Sequence, residues 1–436
     1  MLETLRNAWK VKELRNKILF TIFVIIVFRI GSVVPVPYID VEALKSAAAD
    51  TAASNQFFSY LSILTGGGLE YGAIFAMSVT PYINSSIIVQ LLCVAIPIFE
   101  RWQKEGEEGQ KKLAQVTRYA TVILALIQGI AFFIYLKNGG GNAQIGSYLS
   151  VDKGAATVFA AFVIVLAFTA GSALVMWLGE QIDGKGIGNG ISILLFAGIL
   201  SRGPQAFRAL WGYFFELKEY VAVIGIILVF LLIIAFVVWM TAAERRIPVQ
   251  YAKRVVGNKM YGGQNTHIPI KVNMSGVMPI IFASSILMVP TMILGFMGNG
   301  ELTTFRKLLN LFSVQGVFYA VIYFLLIIGF AYFYATIQFN PVEMANNLRK
   351  NGGAVPGIRP GKPTSDFISK ILSRITLMGA VFLSVIAILP IIIGNVGQIN
   401  ISLGGTSLLI MVGVALDIVR SLESQMMMRH YKGFLD

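Results

Sequence analysis

Cysteine and histidine are nearly missing: the 436-residue chain holds one Cys, Cys93, and two His, His267 and His430. A single thiol excludes an internal disulfide and any thiolate cluster. Two imidazoles far apart in polar segments argue against a histidine-based metal centre. Charge is scarce too, at 13% of residues, against roughly 25% in a soluble domain. Gly-x-x-x-x-Gly-Lys-Ser/Thr and His-Glu-x-x-His patterns are absent, so neither P-loop nucleotide hydrolysis nor zincin-type proteolysis is indicated. Gly186-Ile187-Gly188-Asn189-Gly190 superficially resembles a dinucleotide loop. No strand precedes it and no acidic partner follows, so that reading is rejected. There is no low-complexity segment and no clean internal repeat.

What is present is apolar. Hydrophobic residues make up 56% of the chain and mean hydropathy is +0.73, the signature of an integral membrane protein. Residues 1–17 are charged and amphipathic, and no small-residue cleavage site follows the first apolar run, so no cleavable signal is expected. A span needs about 20 apolar residues. Ten are expected, at about 18–35, 73–96, 118–137, 154–178, 187–202, 219–241, 274–294, 315–336, 371–393 and 404–420. The basic residues test this count. Of the 35 Lys and Arg, 26 fall in the N-terminus, alternate loops and tail; eight fall in the intervening loops, and Arg29 lies within the first span. The alternation predicts ten spans with both ends in the cytosol.

Residues 56–93 do not read as one span. Two turns of apolar helix, Phe57, Phe58, Tyr60, Leu61, Ile63 and Leu64 among them, run into Gly66-Gly67-Gly68, where three glycines favour a break. A longer apolar run follows from Ile74 to Ile96, interrupted by Pro81 and carrying Asn84, Ser85, Ser86 and Gln90. Broken backbone is tolerated at membrane depth only against protein or a water-filled cavity, so this stretch is expected to line a cavity inside a helical bundle. The other reading is an external loop helix followed by an ordinary span.

Two long basic loops stand out. Within 242–273, alternating polar and β-prone residues suggest a hairpin closed near Gly257-Asn258. Within 340–370, Gly352-Gly353, Pro356-Gly357-Ile358-Arg359-Pro360-Gly361 and Pro363 predict a rigid exposed turn with one Arg at its tip. Such tips suit an RNA backbone or an acidic protein surface; ordinary positive-inside bias is the plainer alternative. The spans hold almost no ionisable groups besides Arg29, Asp417 and Arg420, where coupled transporters usually carry several. Arg29 is expected to satisfy an interior polar contact. A cavity, no energy source and docking loops suggest a passive conduit driven by a partner. A secondary transporter and a membrane-embedded enzyme are the other classes. Scarce intramembrane charge argues against the first, and the lack of a nucleophile–base set against the second.

The motifs carry a resemblance over essentially the whole chain. They are Phe28-Arg29-Ile30-Gly31-Ser32, Pro81-Tyr82-Ile83, Ser86-Ile87-Ile88-Val89-Gln90, Lys104-Glu105-Gly106-Glu107 and Trp177-Leu178-Gly179-Glu180-Gln181-Ile182 running into Gly186–Ile193. Then come Thr266-His267-Ile268-Pro269, Lys271-Val272-Asn273-Met274, Phe282-Ala283-Ser284-Ser285, Phe339-Asn340-Pro341, the Arg359 turn and Gly404-Gly405-Thr406-Ser407-Leu408-Leu409-Ile410. In this order they resemble the SecY family, the channel-forming subunits of bacterial Sec protein translocons.

The resemblance implies an all-α integral membrane fold: ten transmembrane helices in two inverted five-helix halves around an hourglass pore, with a short plug half-helix. The halves would be 1–202 and 219–420, joined by an external hinge loop, 203–218, with a cytosolic tail, 421–436. It implies a pore ring of Val79, Ile83, Ile191, Leu195, Ile281 and Ile410. Val79/Ile83 and Ile191/Leu195 are i,i+4 pairs, each on one helix face. It implies a plug at 57–68. It also implies a lateral gate between helices 2 and 3 and helices 7 and 8, with Asn84, Ile87, Gln90, Gln128, Ser285 and Val289 on it. Interhelical hydrogen bonds are expected there, worth roughly 0.6–2 kcal/mol. Arg359, Lys253, Arg254 and Lys259 match docking positions for the SecA ATPase or a ribosome; Asn258 stands where some relatives have an arginine.

The implied activity is export of unfolded secretory chains across a bacterial plasma membrane and sideways release of membrane segments into lipid, without catalysis, metal or cofactor. The implied partners are SecE and SecG, SecA, ribosomal RNA, signal peptides and nascent polypeptides, the lipid bilayer, SecDF and a YidC-type insertase. Deleting 57–68 should raise resting ion leak without abolishing transport; unchanged conductance in planar bilayers would count against the plug.

Overall fold

The computed structural model describes residues 9–45, 65–137, 148–150, 155–215, 220–251, 254–256, 259–261, 265–274, 276–296, 309, 311, 316–397 and 405–432. Among them, a helix occupies each of the ten expected spans. In order these are α1 (Lys12–Gly31), α2 (Thr80–Ala95), α4 (Glu107–Lys137), α5 (Ala155–Lys185), α6 (Gly190–Leu200), α8 (Tyr220–Ala242), α9 (Met278–Phe296), α10 (Val317–Gln338), α12 (Lys362–Gly397) and α13 (Gly405–Lys432). Three shorter helices lie between them: α3 (Pro97–Lys104), α7 (Gly203–Phe215) and α11 (Pro341–Lys350). Among the described residues, six stretches of helix are long and apolar enough to cross a membrane alone, seven if α2 and α3 count as one bent span. The first turns of α1 carry the charged run Lys12-Glu13-Leu14-Arg15-Asn16-Lys17, and α9 carries Pro290 inside it.

Several boundaries differ from the sequence expectation. The second span does not begin at residue 73. Ala73 and Ile74 are tied instead to the chain after α1, with Ile74 N–H donating to Val34 O at 3.0 Å and Val36 N–H donating to Gly72 O at 2.9 Å. The helix starts at Thr80, and Pro81 sits in its first turn, so this proline starts the helix rather than interrupting it. Ile96 is extended, and α3 leaves α2 at 101° after Pro97, which disfavours helix at the residue before it. The expected external loop 203–218 is helical over Gly203–Phe215. The tail is helical as far as Lys432.

The two basic loops form one small β structure. β1 (Glu244–Tyr251) pairs antiparallel with β4 (Asn265–Lys271), Ile247 opposite Ile268. Between them β2 (Arg254–Val256) and β3 (Lys259–Tyr261) form the inner hairpin around 257–258, where the turn chemistry placed it. The second loop adds β5 (Gly353–Ala354) to the free edge of β1, giving the order β4-β1-β5. Local signals build α11 in front of it. Asn340 caps the helix, its Oδ1 accepting from Val342 N–H at 3.2 Å and Glu343 N–H at 3.4 Å. Pro341 takes the first turn, and Arg349 and Lys350 the last. Beneath the sheet, Ile247, Val249, Ile270, Leu348, Val355 and Ile368 share a buried core. The two loops and the first turns of α12 are therefore one packed unit.

That shared core makes a test. Ile247→Asp would bury an unpaired carboxylate, at a cost of about 3–5 kcal/mol. Limited trypsin digestion should then cut both 244–271 and 340–361 faster, in step. Faster cutting in one loop alone would mean that the loops do not share a core.

Candidate functional site

Four helices supply the six aliphatic residues singled out in the sequence, each from its first two turns. Val79 is the N-cap of α2 and Ile83 lies one turn on. Ile191 and Leu195 are in the first and second turns of α6. Ile281 is in the first turn of α9, and Ile410 lies five residues past the start of α13. All six belong to one continuous apolar cluster, and none is more than 9% exposed.

The glycine motif before α6 positions that helix. Gly188 has φ +69°, a conformation glycine reaches at little cost. Asn189 Oδ1 accepts from Ser192 N–H at 3.0 Å, and Asp183 Oδ1 accepts from Gly190 N–H at 2.7 Å. Two of the N–H groups at the helix start are thus satisfied by the protein's own side chains. A Cβ on Gly190 would run into the backbone of Gly179 on α5, and one on Gly179 would meet Ile191 Cδ1 at 2.5 Å. Bare backbone on both sides lets α6 lie directly against α5, which sets where Ile191 stands.

The glycine turn after the expected plug is pinned on one side. Gly66 has φ +64°, and a Cβ there would lie 2.6 Å from Gly198 O. Its carbonyl accepts from Ser201 Oγ at 3.2 Å and from Arg29 Nη1 at 3.5 Å. Arg29 thus satisfies an interior polar contact, as expected. Arg202, counted among loop cations in the sequence, is buried at the end of α6 and forms an ion pair with Glu70. The plug residues Phe57, Phe58, Tyr60, Leu61, Ile63 and Leu64 lie outside the described residues.

At the seam, α9 packs against α2 and α4. Ile87 is buried in the apolar cluster alongside Leu287, whereas Val289 is exposed. Asn84, Gln90, Gln128 and Ser285 are half-buried. The expected interhelical hydrogen bonds are not made among the described residues. Gln90 Nε2 donates instead to Ser86 Oγ at 3.4 Å, one turn back on its own helix. An i,i+4 partner is always within reach on a helix, and the seam offers none as near.

On the basic unit, Arg359 is exposed between Gly357 (φ +80°) and Gly361 (φ +109°). Its carbonyl accepts from Thr364 Oγ1 at 2.8 Å, which ties the tip to α12. Arg254 stands opposite Tyr261 and Lys259 opposite Val256 in the inner hairpin; Lys253 lies outside the described residues. A cavity of about 300 Å³ opens among α8, α9, α10, α12 and α13, with Asn273, Val277, Leu409, Gly413 and Arg420 on its walls. Arg420 Nη2 donates to Thr241 O at 2.6 Å there. Sequence reasoning missed the Glu70–Arg202 pair and the Asp183 contact; both residue pairs are far enough apart in the chain, or generic enough in type, to give no local signal.

A multi-pass helical membrane protein with a large buried apolar centre and a packed basic β unit is the class these features define. The family model for SecY matches residues 73–419. "Protein translocase subunit SecY" of Thermotoga maritima is 42% identical over 438 residues, covering 100% of this chain and 98% of that one. Its counterpart in Mycobacterium bovis is 43% identical over 450 residues, covering both chains fully. Among solved structures, one described as "The structure of a protein conducting channel" aligns with a TM-score of 0.65 at 18% identity, over 94% of this chain and 92% of that one. Sec61 in a canine ribosome-channel complex aligns with a TM-score of 0.60 at 17% identity, over the same shares. The chain belongs to the SecY family.

Gly190→Ala tests the α5–α6 contact that places Ile191. Overpacking of this kind costs about 1–3 kcal/mol, and here it would push α6 off α5 and move Ile191. A lower unfolding temperature in detergent together with higher resting conductance in planar bilayers is expected. A destabilised protein with unchanged conductance would separate Gly190 from the seal.

Proposed function

We propose that this chain is a protein-conducting channel that moves unfolded polypeptides across a membrane and releases apolar segments sideways into lipid. The observation that carries the reading is the waist: six aliphatic side chains from four helices, buried in one cluster within a family of protein translocase subunits. Aliphatic constrictions exclude ions by dewetting. Dispersion and apolar contacts are non-directional, so Val79, Ile83, Ile191, Leu195, Ile281 and Ile410 can exchange contact with one another for contact with any passing side chain. A ring of hydrogen-bonding groups would hold each polypeptide in one register instead.

In this reading residues 57–68 form the plug, and Gly66 is its fixed end. A solved relative that aligns with a TM-score of 0.63 is described as having a plug domain that stabilises the closed state. The lateral gate runs between α2 and α4 on one side and α9 and α10 on the other, with Asn84, Ile87, Gln90, Gln128, Ser285 and Val289 along it. Its polar groups form no cross-helix bonds among the described residues, so an entering signal helix need break none. The halves 1–202 and 219–420 move about the 203–218 connection.

The chain performs no covalent step. The push comes from SecA, which hydrolyses ATP, or from a translating ribosome, through Arg359, Lys253, Arg254 and Lys259. SecE and SecG complete the membrane complex, SecDF and a YidC-type insertase act on its product, and both termini lie in the cytosol of a bacterial cell.

Arg359→Glu should block SecA-driven export while leaving membrane insertion and folding intact. The check is transport of a preprotein into proteoliposomes containing the protein with SecE, SecG, SecA and ATP. The wild-type complex should protect the preprotein from external protease and the variant should not. Normal export by the variant would remove the docking role, and no transport by the wild type would remove the channel reading.

A further inference from the structure

Helix α7 carries a surface that the channel reading leaves unused. Phe207, Trp211 and Phe215 recur every four residues and are 63%, 56% and 54% exposed, while Ala206 on the other side is buried. Their rings touch in sequence, with centroids 6.0 Å apart between Phe207 and Trp211 and 4.3 Å between Trp211 and Phe215. A stacked apolar ladder open to water would be costly at this area. It continues directly onto a surface of known kind. Phe214 meets Tyr220, the first residue of α8, edge to face at 4.9 Å. α8 exposes Leu228, Leu231 and Leu232 along its length, as a lipid-facing helix does.

Depth can be read from α8 itself. Tyr220 and Trp239, both exposed, are nineteen residues apart, or roughly 28 Å along a helix. That is close to the roughly 30 Å hydrocarbon thickness of a bilayer. Tyr and Trp at that separation mark the two interfaces of the membrane. The ladder lies at the Tyr220 end, level with one interface, and exposed Arg208 supplies a cation beside Phe207.

We infer that α7 is an interfacial anchor: it continues from the end of α6 on the side opposite the basic loops, and sets Phe207, Trp211 and Phe215 into the headgroup–acyl boundary of the lipid. The connection between the two halves is then held at the membrane surface by its own side chains. This does not depend on what passes through the waist.

The test is Trp211 fluorescence in vesicles of phosphatidylethanolamine and phosphatidylglycerol at high lipid-to-protein ratio, with Trp9, Trp102, Trp177 and Trp239 changed to Phe. Lipids brominated near the headgroup should quench Trp211 about twofold more strongly than lipids brominated near the chain ends. Should the quadruple variant fail to insert, the difference between the native protein and Trp211→Phe gives the same reading. Quenching by aqueous iodide alone would place the ladder in water. Stronger quenching from the chain ends would place it in the hydrocarbon core, and insensitivity to both lipid and iodide would place a second copy or another protein over it. Each of these three results overturns the proposal.

Discussion

The structure turns on where helices are allowed to begin. Backbone groups in a bilayer have no water to bond, so a helix that starts inside the membrane must have its first N–H groups satisfied by protein. The six aliphatic residues sit at helix starts. α6 is capped by Asn189 and Asp183; α2 starts at Thr80 with Pro81, which has no N–H to satisfy, in its first turn, after a segment hydrogen-bonded to the chain following α1. Because these residues fall in the first two turns of their helices, the contacts that fix the starts of α2 and α6 also fix where Val79, Ile83, Ile191 and Leu195 stand. Backbone geometry therefore positions side chains that have no directional bonds of their own.

The same constraint explains the division of labour between glycines and charges. Gly190 and Gly179 let two helices touch, and Gly66 lets a turn fit against Gly198. Arg29 and Arg202 are spent on that turn, one on a carbonyl and one on Glu70. They are the side chains that a reader looking for a transport mechanism would notice first, and they hold structure together.

How much was legible in the sequence varies with the range of the interaction. The ten spans followed from apolar length checked against alternating Lys and Arg, two independent signals. The inner hairpin followed from local turn chemistry. The strand pairing of β5 with β1 did not, because two residues such as Gly353 and Ala354 carry no pattern and their partner lies about a hundred positions away. α7 reads as a loop because Gly203-Pro204 looks like a break, yet proline in a first turn starts a helix. The second span reads too long because Ala73–Val79 is apolar, while its backbone is committed elsewhere. At the seam, sequence identifies the polar residues but not their partners, and Ser86 was the nearer choice for Gln90. Val79, Ile83, Ile191, Leu195, Ile281 and Ile410 stand out from the rest of a long apolar chain only through the family motifs; spacing alone places two pairs of them on common helix faces.

The length of α12 has a mechanical meaning. It runs unbroken for 36 residues, Lys362 to Gly397, or about 54 Å, well beyond the thickness of the hydrocarbon core. Its first turn is bonded to the Arg359 tip and packed under the β structure, and its middle carries Leu383 and Ile386 into the central apolar cluster. A load applied at the tip therefore travels along a single stiff rod to the centre of the molecule, without a hinge to absorb it. The strand pairing between the loops keeps that rod from sliding independently of α9.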